Sequence, residues 1–125
     1  MKNKNITEAE LRILSVIWNN NNASVREVYN ELSKEKDIVY TTVLKTMQNM
    51  HEKGLLLRDQ AQRSHIYSAA TQPEVVQKHL LGGLMDKAFG GSLSKLVISA
   101  LGHKKVNEKE LEEIKAMIKK LEENG

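Results

Sequence analysis

Apolar residues recur every three or four positions along most of the chain, which is the spacing of amphipathic helices. This spacing predicts helices over about Glu8–Asn19, Val25–Ser33 and Val39–Lys53. The segments 55–59 and 65–68 are instead typical of two short strands joined by a polar connection. Three helices followed by a two-stranded hairpin is the order of a winged helix-turn-helix domain. The predicted fold class is therefore mainly α (α+β).

Three helix starts carry a capping side chain three residues before a glutamate. At this spacing the two side chains satisfy exposed backbone N–H groups reciprocally. The pairs are Thr7 with Glu10, Ser24 with Glu27, and, as a weaker variant, Asn107 with Glu110. Gly54 follows the third helix and is the expected left-handed stop.

Residues 73–125 predict three more helices. Pro73 suits the first turn of one of them, and Gly90-Gly91 separates it from the next. Short amphipathic helices that follow a complete domain of residues 1–72 have little of their own to pack against. We therefore predict that residues 73–125 form a dimerisation domain that pairs with a second copy of itself. The alternative is that these helices fold back on the first domain within one monomer.

The predicted dimer contacts are the apolar side chains of these three helices. They are Val76, Leu80, Leu84, Leu93, Leu96, Val97, Leu101, Leu111, Ile114, Met117, Ile118 and Leu121.

The third helix has one apolar side and one polar side. A projection at about 100° per residue groups on the apolar side Val39, Tyr40, Val43, Leu44, Met47 and Met50. The opposite side offers the hydroxyl, amide and ammonium groups of Thr41, Thr42, Lys45, Gln48 and Asn49, with Thr46 at the edge. These groups pair with base edges and phosphates in a DNA major groove. No carboxylate lies between Asp37 and Glu52 or between Asp59 and Glu74, so phosphate repulsion is removed there.

Duplex DNA is the partner that this distribution predicts. On helix 3, Thr41, Thr42 and Lys45 are expected to meet base edges or adjacent phosphates. Ser24 starts a helix whose backbone N–H groups can bind phosphate. The hairpin, led by Arg63, is expected to contact the flanking backbone or minor groove. The full set of predicted DNA contacts is Ser24, Tyr40, Thr41, Thr42, Lys45, Thr46, Arg58, Gln62 and Arg63.

Composition narrows the class of protein. The length of 125 residues is enough for a hydrophobic core but too small for two large domains. Apolar residues make up 40% of the chain and charged residues 28%, which are ordinary fractions for a globular protein. Aromatic residues, at 4%, are too few for a single-strand binder that stacks bases. The net charge of +3 does not by itself indicate nucleic acid.

The chain contains no cysteine, which excludes disulfides, cysteine-zinc sites and thiol catalysis. It also has no apolar signal core at its start and no run of about 18 apolar residues. We therefore expect a cytoplasmic protein without a membrane span. The four histidines are scattered, with none at the close spacing of a metal pair, so we expect no metal site and no enzymatic activity. The alternative is that His79 or His103 alone binds a metal across a dimer. No cofactor is expected.

The chain resembles the BlaI/MecI/CopY-type winged-helix repressors, the penicillinase repressor family, which control penicillinase, methicillin-resistance or copper-homeostasis genes. The resemblance covers nearly the full length and rests on the segments TEAELRILSVIW, TTVLKTMQNMHEKGLL, HIYSA and FGGSLSKLVISAL. It implies a homodimer that binds a pseudo-palindromic operator and represses transcription, with its C-terminal helices interlocked between subunits.

Three departures from the family pattern bear on regulation. The family's penicillinase and methicillin branch is induced by proteolysis at an Asn-Phe bond, and the corresponding pair here is Ser99-Ala100. The copper branch uses a C-terminal cysteine cluster, which this chain lacks. Many members have a glycine before the wing arginine, where this chain has Gln62. The inducer or protease is therefore left open.

A protein-docking module is the main alternative function, because winged helices also serve as docking domains. A docking helix would more often be apolar on its outward side, whereas helix 3 is polar and free of acids there.

Overall fold

The structure, a computed structural model, describes residues 5–61 and 63–125. Its elements, in chain order, are α1 (Glu8–Asn20), β1 (Asn22–Ser24), α2 (Val25–Leu32), α3 (Tyr40–Glu52), β2 (Leu56–Asp59), β3 (Ile66–Ala69), α4 (Pro73–Ala88), α5 (Leu93–His103) and α6 (Glu108–Asn124). The predicted mainly α class with a small antiparallel sheet is confirmed. The chain divides into two compact units, one ending at Lys78 and the other beginning at His79. This division falls inside α4 rather than at its start, where the sequence predicted it.

The helix starts form as their capping residues predict. At α1 the Glu10 backbone N–H donates to Thr7 Oγ1 at 3.1 Å, and the Thr7 N–H donates to Glu10 Oε1 at 3.0 Å. The same reciprocal box begins α2, and the Asn107 side chain caps α6. Gly54 has φ 84° just beyond α3, a left-handed conformation that favours glycine.

The sheet has three strands rather than the predicted two, in the order β1-β3-β2, all antiparallel. The additional strand β1 pairs Ala23 with Tyr67, and β2 pairs Arg58 with the same tyrosine from the other side. Asn21, with φ 70°, turns the chain from α1 into β1. Asparagine tolerates this region better than most residues. The sequence predicted only an end to α1 here, because a strand of three residues shows no alternation.

The core of the first unit lies between α1, α2, α3 and the sheet. The largest fully buried side chains are Tyr67, Leu14, Ile17, Met47, Met50, Leu56, Val28 and Val43. The apolar side predicted for α3 is thus buried at Val43, Met47 and Met50. Val39 is the exception, since it precedes the helix as its N-cap and is 62% exposed.

An internal ion pair joins the start of α1 to the end of α3. Lys53 Nζ lies 2.7 Å from Glu10 Oε2, and Glu10 is 6% exposed. Burial alone would raise the pKa of Glu10. Hydrogen bonds from Lys53 and from the Thr7 backbone N–H, together with the charge of Lys53, outweigh burial and hold the pKa below its ordinary value of 4.5.

Glu10→Gln is expected to lower the free energy of unfolding by about 1–2 kcal/mol at pH 7. The figure is modest because Lys53 is 34% exposed and solvent screens the pair. A carboxyl with a lowered folded-state pKa stabilises the fold fully above its unfolded pKa, and this contribution is lost as the pH falls through the folded pKa. The difference between wild type and variant should therefore shrink below pH 4.5.

Urea unfolding followed by the fluorescence of Trp18, the chain's single tryptophan, measures this difference at each pH. Trp18 reports on the first unit because its Nε1 donates to the Thr71 carbonyl oxygen at 2.9 Å. Glu8→Gln is the matched control, since the Glu8 side chain is 81% exposed and its ion pair with Arg12 lies at the surface. Equal behaviour of the two variants at pH 7 would contradict the prediction.

Candidate nucleic-acid interface

The polar side of α3 is exposed. Thr41, Thr42 and Lys45 are all exposed, as are Gln48 and Asn49 one turn further on. The opposite side of the helix holds it on the core. Within the described chain, Lys45 forms no ion pair within 4.0 Å. The predicted contact surface is therefore an open face that carries hydroxyl, amide and ammonium groups.

Thr46 differs from the other predicted α3 contacts. Its Oγ1 donates to the Thr42 carbonyl oxygen at 2.7 Å, and its side chain is half-buried. A phosphate oxygen only accepts hydrogen bonds, so this hydroxyl, whose hydrogen is already used, is a poor partner for DNA phosphate. The contact predicted between Thr46 and DNA stays a prediction, and this geometry disfavours a phosphate as its partner.

Tyr40, another predicted DNA contact, is in contact with other side chains of the chain. It is the first residue of α3 and is half-buried against the core. Its ring meets the Tyr29 ring edge-on, with centroids 5.5 Å apart and planes at 73°. The guanidinium carbon of Arg26 lies 4.3 Å from the Tyr40 ring centroid and 5.7 Å from that of Tyr29. Tyr40 is thus engaged by other side chains of the chain.

Arg26 is a candidate functional residue that the sequence reasoning missed. It lies in the first turn of α2 and is exposed. The available signal was Tyr29, which lies three residues further along the same helix and so on the same side. The contact of Arg26 with Tyr40 joins α2 to α3 and therefore could not be predicted from the spacing of residues within one helix.

Ser24 is tied into the cap of α2. Its Oγ accepts from the Glu27 N–H at 3.1 Å, and its own N–H donates to Glu27 Oε1 at 2.8 Å. The backbone donor of Ser24 is therefore occupied, and a carboxylate already lies at this helix start. Of Ser24's own donors, only the hydroxyl hydrogen remains for a phosphate. The phosphate contact predicted at this helix start stays a prediction, and it would use that hydroxyl or the next backbone N–H groups of α2.

The wing is the hairpin formed by β2, β3 and the connection between them. Its described residues include one exposed cation. Arg63 is exposed in the connection between β2 and β3. Arg58 is half-buried on β2. Its Nη2 and Nε lie 3.0 Å and 3.2 Å from the near end of the Gln60 side-chain amide, which accepts from both when its oxygen is turned toward the guanidinium. The contact predicted for Gln62 lies outside the described residues. Arg63 is thus the better placed of the two wing arginines for a phosphate.

A shallow cleft brings the three predicted regions together. Its lining includes Ser24 at the end of β1, Arg26 of α2, Gln48 of α3, and Ser64 and His65 of the wing. Polar and cationic groups from two helices and the wing therefore border one continuous surface.

The second unit exposes the apolar sides of its helices. No residue of α5 or α6 is buried. Among the predicted dimer contacts, Leu84, Leu93, Met117, Ile118 and Leu121 are each more than half exposed. Leu80, Leu96 and Ile114 are half-buried, and Val97, Leu101 and Leu111 are slightly more than a third exposed.

Two further findings revise the predicted dimer contacts. Val76 belongs to the first unit and is only 4% exposed within a single chain, so it is not available to a second copy. Ile98, 70% exposed, and Leu81, 47% exposed, were not predicted and extend the exposed apolar surface. The pair Ser99-Ala100 lies inside α5 and is exposed.

In the described ranges, no helix is long and apolar enough to cross a lipid bilayer. Those same residues contain no group of three or more histidine, aspartate or glutamate side chains arranged to hold a metal ion.

Three helices, a small antiparallel sheet and an exposed polar α3 define a winged helix-turn-helix protein. Residues 6–120 match the family model described as penicillinase repressor, and the chain belongs to that family. The resemblance drawn from its motifs is confirmed.

Relatives of known role are similar over most of the chain. The penicillinase repressor of Staphylococcus aureus is 22% identical over 117 residues, which are 94% of this chain and 93% of that protein. The methicillin resistance regulatory protein MecI of Staphylococcus aureus is 20% identical over 119 residues, which are 95% of this chain and 97% of that protein. The transcriptional regulator BlaI of Mycobacterium tuberculosis is 30% identical over 83 residues, 66% of this chain and 57% of that protein.

Proposed function

We propose that this protein is a transcriptional repressor that binds a pseudo-palindromic operator as a homodimer, with α3 in the major groove and the wing on the flanking backbone. The observation that carries the proposal is the exposed, acid-free polar side of α3. The name of the similar penicillinase repressor of Staphylococcus aureus, and that of the matching family, favour repression over activation. Because such a repressor must bind operator DNA, we expect the protein to act in the cytoplasm.

The contacts divide by chemistry. Thr41 and Thr42, exposed at the start of α3, would contact base edges through their hydroxyl groups, and their methyl groups could also contact a thymine methyl. Lys45, one turn further, supplies a cation for a phosphate, and Arg63 does the same from the wing. Phosphate contacts set the position on the duplex, whereas base contacts choose the sequence.

The exposed apolar sides of α5 and α6 support the homodimer. Isolated helices with exposed apolar sides are not stable in water. We therefore expect the apolar sides of α5 and α6 to pack against the same helices of a second copy. A two-fold dimer would present two copies of α3 to two half-sites, which is why we expect a pseudo-palindromic operator.

Selection of bound sequences from a random duplex pool, followed by fluorescence anisotropy on the selected duplex, tests the proposal. Affinity should fall steeply between about 0.05 and 0.2 M salt, because each neutralised phosphate releases counterions. A folded protein that binds no duplex at any salt concentration would favour the docking-module alternative and reject the proposal.

Lys45→Ala is expected to weaken operator binding roughly 10- to 100-fold at moderate salt without changing the melting temperature. Each subunit loses one phosphate contact, which lowers the slope of log affinity against log salt by about 0.9, hence about 1.8 for the dimer. Lys120→Ala is the matched control, because Lys120 is exposed on the polar side of α6. An unchanged slope with a normal melting curve would remove Lys45 from the interface.

A further inference from the structure

Arg26 has its guanidinium held against aromatic rings and, among residues 5–61 and 63–125, has no carboxylate partner. None of the ion pairs in the described part of the chain involves Arg26. The neighbouring Glu27 carboxylate is occupied by the Ser24 N–H. The guanidinium instead lies over the Tyr40 ring at 4.3 Å, and Tyr29 braces the same ring from its edge. The aromatic contacts therefore orient a cation that stays exposed.

The contact with the Tyr40 ring leaves the hydrogen-bond donors of Arg26 unused by the protein. Among the described residues no side-chain hydrogen bond involves the guanidinium, so its five N–H donors are available for a phosphate. Two parallel N–H groups can then bind two oxygens of one phosphate. Because the rings already restrict the side chain, less conformational entropy is lost when it binds.

The position of Arg26 matches this chemistry. Tyr40 directly precedes Thr41, so the guanidinium over its ring lies beside the start of the helix proposed to enter the groove. Arg26 also lines the cleft shared by α2, α3 and the wing. In helix-turn-helix proteins the helix before the recognition helix crosses the DNA backbone, and here that helix is α2.

We propose that Arg26 binds an operator phosphate through α2 and that Tyr40 is its positioning residue. This inference rests on the proposed function and adds a contact that lies off the third helix and the wing. Tyr40 acts through Arg26 and is not itself a DNA contact.

Anisotropy titrations of the selected operator at several salt concentrations test the inference with four variants. Arg26→Ala should weaken binding roughly 10- to 100-fold and lower the salt slope by about 1.8 for the dimer. Arg26→Lys should keep the slope but lose affinity, because lysine keeps the charge and lacks the planar fork. Tyr40→Phe should bind as wild type, whereas Tyr40→Leu should lose affinity with little change in slope.

Arg12→Ala is the matched control, since Arg12 is an exposed arginine paired with Glu8 on α1. If Arg26→Ala matches Arg12→Ala in affinity and slope, Arg26 serves only to pack α2 on α3, and the inference is overturned. If Arg26→Ala does not fold, Arg26→Lys decides, and wild-type affinity for that variant overturns the inference. Loss of binding in Lys45→Ala with none in Arg26→Ala rejects this inference alone, whereas a wild type that binds no duplex rejects it together with the proposed function.

Discussion

Leu96→Asp or Leu111→Asp is expected to convert the protein to a monomer of 14.2 kDa and to weaken operator binding by about two or more orders of magnitude. Each substitution would force an unpaired charge into the apolar interface proposed for α5 and α6, which costs several kcal/mol. The operator contacts of one subunit would then no longer be linked to those of the other.

Light scattering gives the mass of each variant, and anisotropy gives its affinity. Ser99→Asp on α5 and Ala116→Asp on α6 are the matched controls. They introduce the same charge on exposed positions away from the apolar sides of the same helices. Dimers of normal mass in Leu96→Asp and Leu111→Asp would reject the proposed dimer surface. Monomers that keep full operator affinity would reject the two-site binding while leaving the surface intact.

Leu14→Ala is expected to lower the free energy of unfolding of the first unit by about 2–5 kcal/mol, since it leaves a cavity in a packed core. Leu14 is 1% exposed and is among the largest fully buried side chains. For a unit of this size, the loss corresponds to a fall in melting temperature of roughly 10 °C or more. Operator binding at physiological temperature should fall with it, because α3 is held on this core.

Leu57→Ala provides the comparison, because the same atoms are removed from a side chain that is 58% exposed on β2. Its unfolding free energy should stay close to that of wild type. Urea unfolding of both variants by Trp18 fluorescence measures the difference. Equal midpoints would show that Leu14 does not carry the packing assigned to it.

The helices were accessible to sequence reasoning because their signals are local. The Thr7–Glu10 and Ser24–Glu27 boxes act within one turn, and the apolar spacing of α3 reports which side turns to a core. The open polar side around Lys45 follows from the same spacing. Even so, spacing placed Val39 on the buried arc of α3, whereas the residue precedes the helix and is mostly exposed.

Contacts between distant segments were not accessible in this way. The strand β1 exists only through its pairing with β3, whose residues lie more than 40 positions further along. The Glu10–Lys53 pair joins side chains that are 43 positions apart. Val76 could be buried in its own chain or free to contact a second copy. The apolar pattern of the sequence does not distinguish these two cases, because the difference depends on tertiary packing.

The sequence by itself determined the helices, their caps, the mainly α class and the acid-free polar side of α3, since hydrogen bonding within a turn and the period of the helix need no other part of the chain. Only the tertiary structure decided which polar groups are already occupied. In that structure the Thr46 hydroxyl donates to the Thr42 carbonyl oxygen, the Ser24 N–H donates to Glu27, and the Arg26 guanidinium lies over the Tyr40 ring. Those contacts depend on distances between elements, which are set when the core packs and carry no signature in local spacing.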